Sequence, residues 1–351
     1  MGGANILPLA LGLIIFSFLI TSILVVPFID LLYKLKITRR KEAPKKGKIP
    51  LFDKLHDSKA GTPVGGGILI IAIVTALFAA MFPIITYMGV YIQSAFGLRE
   101  ELFVLFFTFL SFGLLGLSDD LVKIFGKKVA GRLGMWIGIR RKHKFILQWL
   151  LAIFIGYYLY NNLGIHILHV PLFDVTLDLG FWYVPFAALL IVTFTNAYNI
   201  TDGLDGLASG LLMIFLIAFG AIAATSLDVP LSLFITIWLG SLMAFLYFNV
   251  WPARIFLGDA GALSFGATIA IIGLVTGSIF ALLIIGAIFL IEIVSSAIQI
   301  LGWRFLNKPI FPLAPLHHTF LAQGWEEPKI VMRAWLAGIM LAIFGLWLAT
   351  I

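Results

Sequence analysis

Asn196-Ala-Tyr-Asn-Ile-Thr-Asp-Gly-Leu-Asp-Gly-Leu207 is a polar stretch that separates two long apolar runs, 181–195 and 207–225. It carries two carboxylates, two side-chain amides and a hydroxyl at the point where the chain would leave or enter a membrane. Polar groups are costly in hydrocarbon, so the stretch is either a tight turn between membrane spans or a functional site. Asp202-Gly203 and Asp205-Gly206 are turn dipeptides, which keeps the first interpretation open.

Composition indicates a membrane protein. Of the 351 residues, 61% are hydrophobic and 12% are charged, and the mean hydropathy is +1.08. Soluble domains average roughly 25% charged residues. The apolar runs are long and continuous rather than alternating, which excludes a membrane β-barrel. The first run is too long for the core of a signal peptide. We therefore predict an all-α polytopic integral membrane protein.

Ten apolar runs approach the length of about 20 residues that a membrane-spanning helix needs. The predicted spans are 6–32, 64–89, 101–118, 144–162, 181–199, 207–225, 229–249, 261–279, 281–305 and 331–350. All lysines and arginines except Arg99 fall in alternate loops or at the span ends next to them, and the loops 33–63 and 119–144 are the richest. The positive-inside rule then predicts that these loops are cytoplasmic and that both termini are extracytoplasmic.

The formal charge of +7 does not indicate nucleic-acid binding in this context. Positive charge beside a membrane determines the orientation of the protein in the bilayer and binds anionic lipid. The basic segment 41–59 also lacks the interleaved aromatic residues that would stack on bases. The absence of cysteine excludes disulfides, thiolate metal sites and a cysteine nucleophile. We see no internal repeat or soluble domain, so residues 1–351 are predicted to form one membrane domain.

The first predicted cytoplasmic loop ends in Lys59-Ala-Gly-Thr-Pro-Val-Gly-Gly-Gly67, directly before the second span. Glycines let a backbone approach a ligand closely, and a lysine beside exposed amides at a helix start suits phosphate. The alternative is a helix-entry loop whose glycines pack within the membrane.

The third span ends in the adjacent carboxylates Asp119 and Asp120, with Lys123 one turn later. Adjacent carboxylates repel unless they share a cation or a proton, which favours magnesium binding, base chemistry or phosphate chemistry. If the helix stops there, the negative end of its dipole makes the pair still less favourable. A solvated helix end is the alternative. The basic run Arg140–Lys144 that follows is typical of a solvated face.

Two later loops carry polar groups on the same predicted face. Phe256-Leu-Gly-Asp259-Ala-Gly places an aspartate between glycines, where it suits a metal held by carboxylate and phosphate oxygens, and the phenylalanine could stack on a base. The last loop contains His317 and His318, which could bind zinc, move protons or grip phosphate. No cysteine or third nearby histidine completes a zinc site.

Taken in order, five motifs resemble the polyprenyl-phosphate N-acetylhexosamine-1-phosphate transferases, over roughly residues 55–335. The motifs are Lys59-Ala-Gly-Thr-Pro, Asp119-Asp120 with Lys123, Asn196-Ala-Tyr-Asn-Ile-Thr-Asp-Gly-Leu-Asp-Gly-Leu-Ala208, Phe256-Leu-Gly-Asp-Ala-Gly261, and Pro315-Leu-His-His318 with Gly324-Trp-Glu-Glu-Pro328. Within this superfamily the chain is most similar to the branch that transfers phospho-MurNAc-pentapeptide.

The resemblance implies a bacterial inner-membrane enzyme, usually a homodimer, with a cytoplasmic active site. It would transfer phospho-MurNAc-pentapeptide from its UDP carrier to undecaprenyl phosphate with Mg²⁺, giving lipid I for peptidoglycan synthesis and UMP. Asp259 matches the magnesium ligand, and Asp119 matches the carboxylate that deprotonates the lipid phosphate. Asp120, His317 and His318 match further catalytic positions. Substrate-binding positions are matched by Lys59, Lys123, Asn199, Asp202, Asp205, Asn249, Phe256 and Gln299, with Phe256 stacking on uracil.

This sequence departs from the family pattern at three places. Thr319 stands where a third histidine is expected, Val64 stands where threonine is usual, and the loop 126–144 is longer. The histidine loop belongs to the MurNAc-pentapeptide branch, so a GlcNAc-1-phosphate transferase is an alternative. A transporter is an alternative of another class, in which Glu292 would be the acidic group inside a span.

Overall fold

The computed structural model describes residues 6–39, 59–90, 92–125 and 141–351. Within these ranges the chain is almost entirely helical, as predicted. The elements are α1 (Ile6–Lys34), α2 (Gly66–Tyr87), α3 (Leu98–Phe125), α4 (Arg141–Asn161), β1 (Ile167–Val170), β2 (Val175–Asp178), α5 (Tyr183–Thr201), α6 (Leu207–Thr225), α7 (Val229–Asn249), α8 (Gly258–Val275), α9 (Ile279–Ile285), α10 (Ala287–Leu301), α11 (Leu316–Ala322) and α12 (Glu327–Ala349).

Nine helices in the described part of the chain are long and apolar enough to cross a membrane. They confirm the predicted class of polytopic membrane protein. The predicted span 144–162 is present as α4, but it is not one of the nine, and its first turn carries Arg141, Lys142 and Lys144. The count of ten spans and the orientation of the termini therefore stay predictions.

Helices α7 and α8 form the centre of the bundle, and their side chains are buried almost throughout. Phe109 of α3 packs there against Trp238 and Phe265, with ring centroids 5.3 and 5.9 Å apart. The outer helices α1, α10 and α12 instead expose apolar faces, including Ile23, Ile300 and Met340. Such faces would be unstable in water and match lipid, as expected for a bundle with a membrane as solvent.

Two predicted boundaries are wrong in ways that matter for the site. The span predicted at 101–118 continues to Phe125, so Asp119 and Asp120 lie inside α3 rather than at its end. The argument from an unfavourable helix terminus therefore does not apply. The span predicted at 281–305 is broken at Gly286, where a Cβ atom would lie 2.6 Å from the Phe194 ring. The glycine lets α5 approach closely and ends α9.

The short hairpin β1–β2 pairs Ile167 with Asp178 and Val170 with Val175 in antiparallel register. It lies between the predicted spans 144–162 and 181–199, where no strand is predicted from the sequence. Most of the two basic loops, 33–63 and 119–144, lies outside the described residues.

Candidate active site

Three carboxylates meet where α3 crosses the start of α8. Asp119 and Asp120 are buried on α3, and Asp259 is the second residue of α8. Asp120 accepts hydrogen bonds from the backbone N–H groups of Asp259 (3.1 Å) and Ala260 (3.0 Å), which satisfies free donors at the start of α8. Oδ2 of Asp119 and Oδ2 of Asp259 contact the same two ammonium groups, those of Lys123 and Lys144. The motifs at 119–120 and 259 thus form one cluster.

Glycine makes this crossing possible. A Cβ atom on Gly116 of α3 would lie 2.1 Å from the carbonyl oxygen of Asp259, which is too close for any side chain. The two helix backbones can therefore touch one turn before the carboxylate pair.

Two lysines neutralise the carboxylate cluster. Lys123 Nζ lies 2.6 Å from Asp259 Oδ2 and 3.0 Å from Asp119 Oδ2. Lys144 Nζ lies 2.6 Å from the same oxygen of Asp259 and 2.8 Å from that of Asp119. Opposite charges at these distances stabilise ionised carboxylates that would otherwise repel one another. The ammonium groups occupy a position between the carboxylates that a metal cation could also take. The same ammonium groups could bind phosphate oxygens.

The polar stretch 199–205 reaches the same cluster from α5. Asn199 Nδ2 donates to Asp259 Oδ1 at 3.3 Å. The helix ends at Thr201, so residues 199–205 do not form one continuous helix, and Asp202 follows as the C-terminal cap. Burial and the negative charge of Asp259 raise the pKa of the half-buried Asp202 carboxyl to about 7.

A second ion-pair network joins Lys59 to the same stretch. Lys59 Nζ donates to Asp205 Oδ1 at 2.6 Å and to Glu327 Oε1 at 2.5 Å. Asp205 Oδ2 accepts from the backbone N–H of Ala253 at 2.9 Å. The first, middle and last motifs of the sequence are therefore in direct contact.

Phe256 is held beside these residues by backbone pairing. Its N–H donates to Pro63 O (2.8 Å), and its carbonyl accepts from the N–H groups of Gly65 and Gly66. The Arg39 guanidinium lies 5.6 Å from the centre of the Phe256 ring. Asn249 donates to Ile255 O at 3.0 Å, which fixes the loop that carries the ring. An aromatic face beside positive charge suits a nucleotide base and its phosphates.

Most of these groups line one cavity of about 290 Å³. Its lining includes seven of the predicted carboxylate, amide and lysine positions together with the aromatic ring. The lining residues are Arg39, Val64, Asp120, Lys123, Asn199, Asp202, Gly203, Leu204, Asp205, Asn249, Phe256, Gly258 and Asp259.

Five predicted site residues are not among the residues that line this cavity: Asp119, Lys59, His317, His318 and Gln299. His317 is buried, and its Nδ1 lies 3.0 Å from Glu292 Oε2, while a Cβ atom on Gly203 would lie 2.4 Å from its Nε2. His318 is also buried. Gln299 bonds to the backbone of Ile310 and Phe311. Glu292, considered above as a transporter's acidic group, has a histidine partner instead.

The donor set fits a magnesium ion only in combination with a substrate. No group of three histidine or acidic side chains in the described residues is arranged to hold a metal. Asp259, with Asp119 beside it, still provides hard oxygen ligands at the cavity. Magnesium is commonly bound by one or two carboxylates, with substrate phosphates and water completing its shell.

Some residues of the site were missed by sequence reasoning. The run Arg140–Lys144 was interpreted as a solvated face, and for Lys144 that interpretation is wrong, because its ammonium bridges Asp119 and Asp259. Arg39 and Glu327 were assigned no role. A single charged residue within a charge-rich segment carries no pattern, so only the fold could identify Arg39 and Lys144. Glu327 lies in the motif 324–328, but only the fold shows its contact with Lys59. Thr319, at the variable position of the histidine motif, donates its hydroxyl to Leu313 O.

Comparisons with known proteins agree with one another. The profile of Glycosyl transferase family 4 matches residues 102–277, about half of the chain. A phospho-N-acetylmuramoyl-pentapeptide-transferase of Caldanaerobacter subterraneus is 35% identical over 90% of this chain and 91% of its own length. Proteins of the same name from Geobacillus and from Bacillus subtilis are each 34% identical over 95% of this chain and 96% of their own lengths.

Proposed function

The chain belongs to the phospho-N-acetylmuramoyl-pentapeptide-transferase family, and we propose that it transfers phospho-MurNAc-pentapeptide from UDP-MurNAc-pentapeptide to undecaprenyl phosphate. The products would be lipid I, a precursor of peptidoglycan, and UMP. The observation that carries this proposal is the single cavity in which Asp259, its lysine partner Lys123 and the aromatic ring of Phe256 meet.

Charge neutralisation is the first requirement of this reaction. Both reactants carry phosphate, so they repel unless the protein supplies positive charge and holds the reacting atoms in line. Lys123 and Lys144 supply that charge beside Asp119 and Asp259. A magnesium ion held by Asp259 and the substrate pyrophosphate would polarise the phosphate being attacked.

Asp119 is proposed as the general base. It would accept the proton of the undecaprenyl phosphate, whose oxygen then attacks the phosphorus that bears the sugar. A new phosphorus–oxygen bond forms, the bond to the bridging oxygen of the pyrophosphate breaks, and UMP leaves with that oxygen. The lysines that Asp119 shares with Asp259 support this role, because they place the base next to the proposed metal ligand.

The remaining predicted residues are proposed to bind and orient the UDP part. Phe256 stacks on uracil, and Asn199, Asp202, Asp205 and Asn249 surround the nucleoside in the same cavity. Lys59 and Asp120 hold the loops that carry these groups. His317, His318 and Gln299 act from behind the cavity lining.

We further propose that residues 1–351 form one catalytic membrane domain, that the protein works as a homodimer in the bacterial inner membrane, and that its cavity opens to the cytoplasm. The distribution of lysine and arginine along the chain supports this orientation.

The proposal is tested by UMP release from the detergent-purified protein with undecaprenyl phosphate and Mg²⁺. UDP-MurNAc-pentapeptide and UDP-GlcNAc are offered in separate reactions. Release with the first alone, abolished by EDTA and restored by Mg²⁺, is the expected result. Release with UDP-GlcNAc alone would assign the protein to the other sugar branch, and activity that survives EDTA would contradict the metal assignment.

A further inference from the structure

Glu327 opens the last long helix, α12, and its side chain points back to the cavity loops rather than to solvent. It is an acidic residue in the first helical turn, where a negative charge is favourable. Its side chain is only 13% exposed. The nucleotide-binding role proposed above does not include it.

One oxygen of Glu327 makes two charge-assisted contacts. Oε1 accepts from Lys59 Nζ at 2.5 Å and from the backbone N–H of Asp205 at 2.6 Å. Lys59 also contacts Asp205 Oδ1 at 2.6 Å. A single lysine is thus shared by two carboxylates that have little access to water. Hydrogen bonds with charged partners are stronger than neutral ones, and losing one partner leaves the others without full compensation.

A second contact shows that α12 is seated on the same loop. Trp335, about two helical turns after Glu327, donates its Nε1–H to Gly206 O at 3.2 Å. The ring also lies so close to Gly210 that a Cβ atom there would be 2.1 Å away. The end of the loop 202–206 and the start of α6 are therefore fixed to α12.

We propose that Glu327 is a positioning residue for nucleotide binding, which acts by orienting Lys59 and Asp205 towards the UDP part of the substrate. This inference rests on the proposed function. Without the carboxylate of Glu327, the lysine would be held by Asp205 alone and the Asp205 N–H would lose its acceptor. The cavity would then be less well ordered for a nucleoside diphosphate, while the Asp119–Asp259 cluster, which Glu327 does not contact, would be unchanged.

The experiment compares Glu327→Gln with Glu326→Gln. Both substitutions remove one negative charge at the start of α12, but Glu326 is exposed. Titration of UMP measures nucleotide binding without any lipid acceptor, and steady-state assays separate KM from kcat. Glutamine keeps an acceptor oxygen but removes its charge. We therefore expect Glu327→Gln to weaken UMP binding and to raise KM for the UDP substrate about ten-fold, with a smaller change in kcat. Glu326→Gln should change neither.

Two further variants distinguish positioning from a general loss of structure. Glu327→Asp keeps the charge and should recover part of the UMP affinity. In a Lys59→Met background, Glu327→Gln should cause little additional loss, because residues that act through one another are not additive. Unchanged UMP affinity in Glu327→Gln, equal effects of the two glutamine variants, or full additivity with Lys59→Met would overturn the inference. If the wild type binds UMP but releases none from UDP-MurNAc-pentapeptide, the proposed function fails and the role of Glu327 is still decided by UMP binding.

Discussion

Helix α3 carries buried carboxyl groups near both of its ends, and the two ends differ in what faces them. Near its start, Glu101 is fully buried and its carboxyl bonds to that of Asp228, which caps α7 through Leu231 N–H. Near its end, Asp119 and Asp120 meet Asp259, Lys123 and a cavity. In the described part of the chain, no lysine or arginine pairs with Glu101 or Asp228.

The difference shows that burial of an acid does not by itself identify a reactive site. A hydrogen bond between two carboxyl groups needs one of them to be protonated, so the Glu101–Asp228 pair can be satisfied internally without a cation. In the Asp119–Asp259 cluster, ammonium groups compensate the negative charges, and a cavity lies beside them. Cations and a cavity, rather than burial, mark the end of α3 at which phosphate chemistry is expected.

The largest effect is expected from Asp259, the proposed metal ligand. Asp259→Ala should reduce UMP release by at least about 10³-fold, because a bound metal contributes several kcal/mol to charge stabilisation. Asp228→Asn is the matched control at the other end of α3, since asparagine can still cap α7. It should retain turnover within about twofold. Normal turnover in Asp259→Ala, or equal losses in both variants, would break the comparison.

Substitution of Lys144, whose contacts could not be predicted from the sequence, should have the next largest effect. Lys144→Met takes away an ammonium that bridges Asp119 and Asp259, and we expect kcat to fall about 100-fold, as for the loss of one preorganised charge-stabilising donor. Lys142 lies in the same helical turn but is exposed, so Lys142→Met is the control and should be close to wild type. If the two variants lost kcat equally, the loss would be explained by general positive charge rather than by the contacts of Lys144 with Asp119 and Asp259.

The aromatic residue should affect binding more than chemistry. Phe256→Ala removes a stacking surface and should raise the apparent KM for UDP-MurNAc-pentapeptide about ten-fold, the usual cost of losing one base–aromatic stack. Turnover at saturation should change less. A fall in kcat with unchanged KM would argue against uracil stacking on this ring.

The smallest effect is expected from the start of α3. Glu101→Gln replaces a carboxyl with an amide of nearly the same shape that can still bond to Asp228. Turnover should stay within about twofold, and the thermal unfolding temperature in detergent should shift only slightly. The distinction between the two ends of α3 would be wrong if Glu101→Gln unfolded at the wild-type temperature but lost as much UMP release as Lys144→Met.

The class of fold and most of the cavity could be predicted from the sequence because each depends on a local pattern. Continuous apolar runs indicate spanning helices, and the residue types in the motifs around Asn199 and Asp259 indicate a phosphate site. The break at Gly286 and the continuation of α3 to Phe125 could not be predicted, since tertiary packing rather than local propensity decides them.

Pairings between distant segments were also beyond the sequence. Lys144 looks like any other lysine of a basic run until α4 places it beside Asp119. Glu327 and Lys59 are 268 positions apart in the chain, and only the packing of α12 on the loop 202–206 brings them together. His317 was expected among the catalytic groups, whereas in the fold it is buried beside Glu292 and behind the cavity lining.

The central claim is that the reactive centre lies at the Asp119–Asp259 end of α3. Its most direct test is a crystal structure of the protein with UMP and Mn²⁺ in place of Mg²⁺, in which anomalous scattering locates the ion. We predict one ion bound to Asp259 and to phosphate oxygens of UMP, with uracil on Phe256. An ion between Glu101 and Asp228, or UMP bound away from Phe256 and Asp259, would contradict the account.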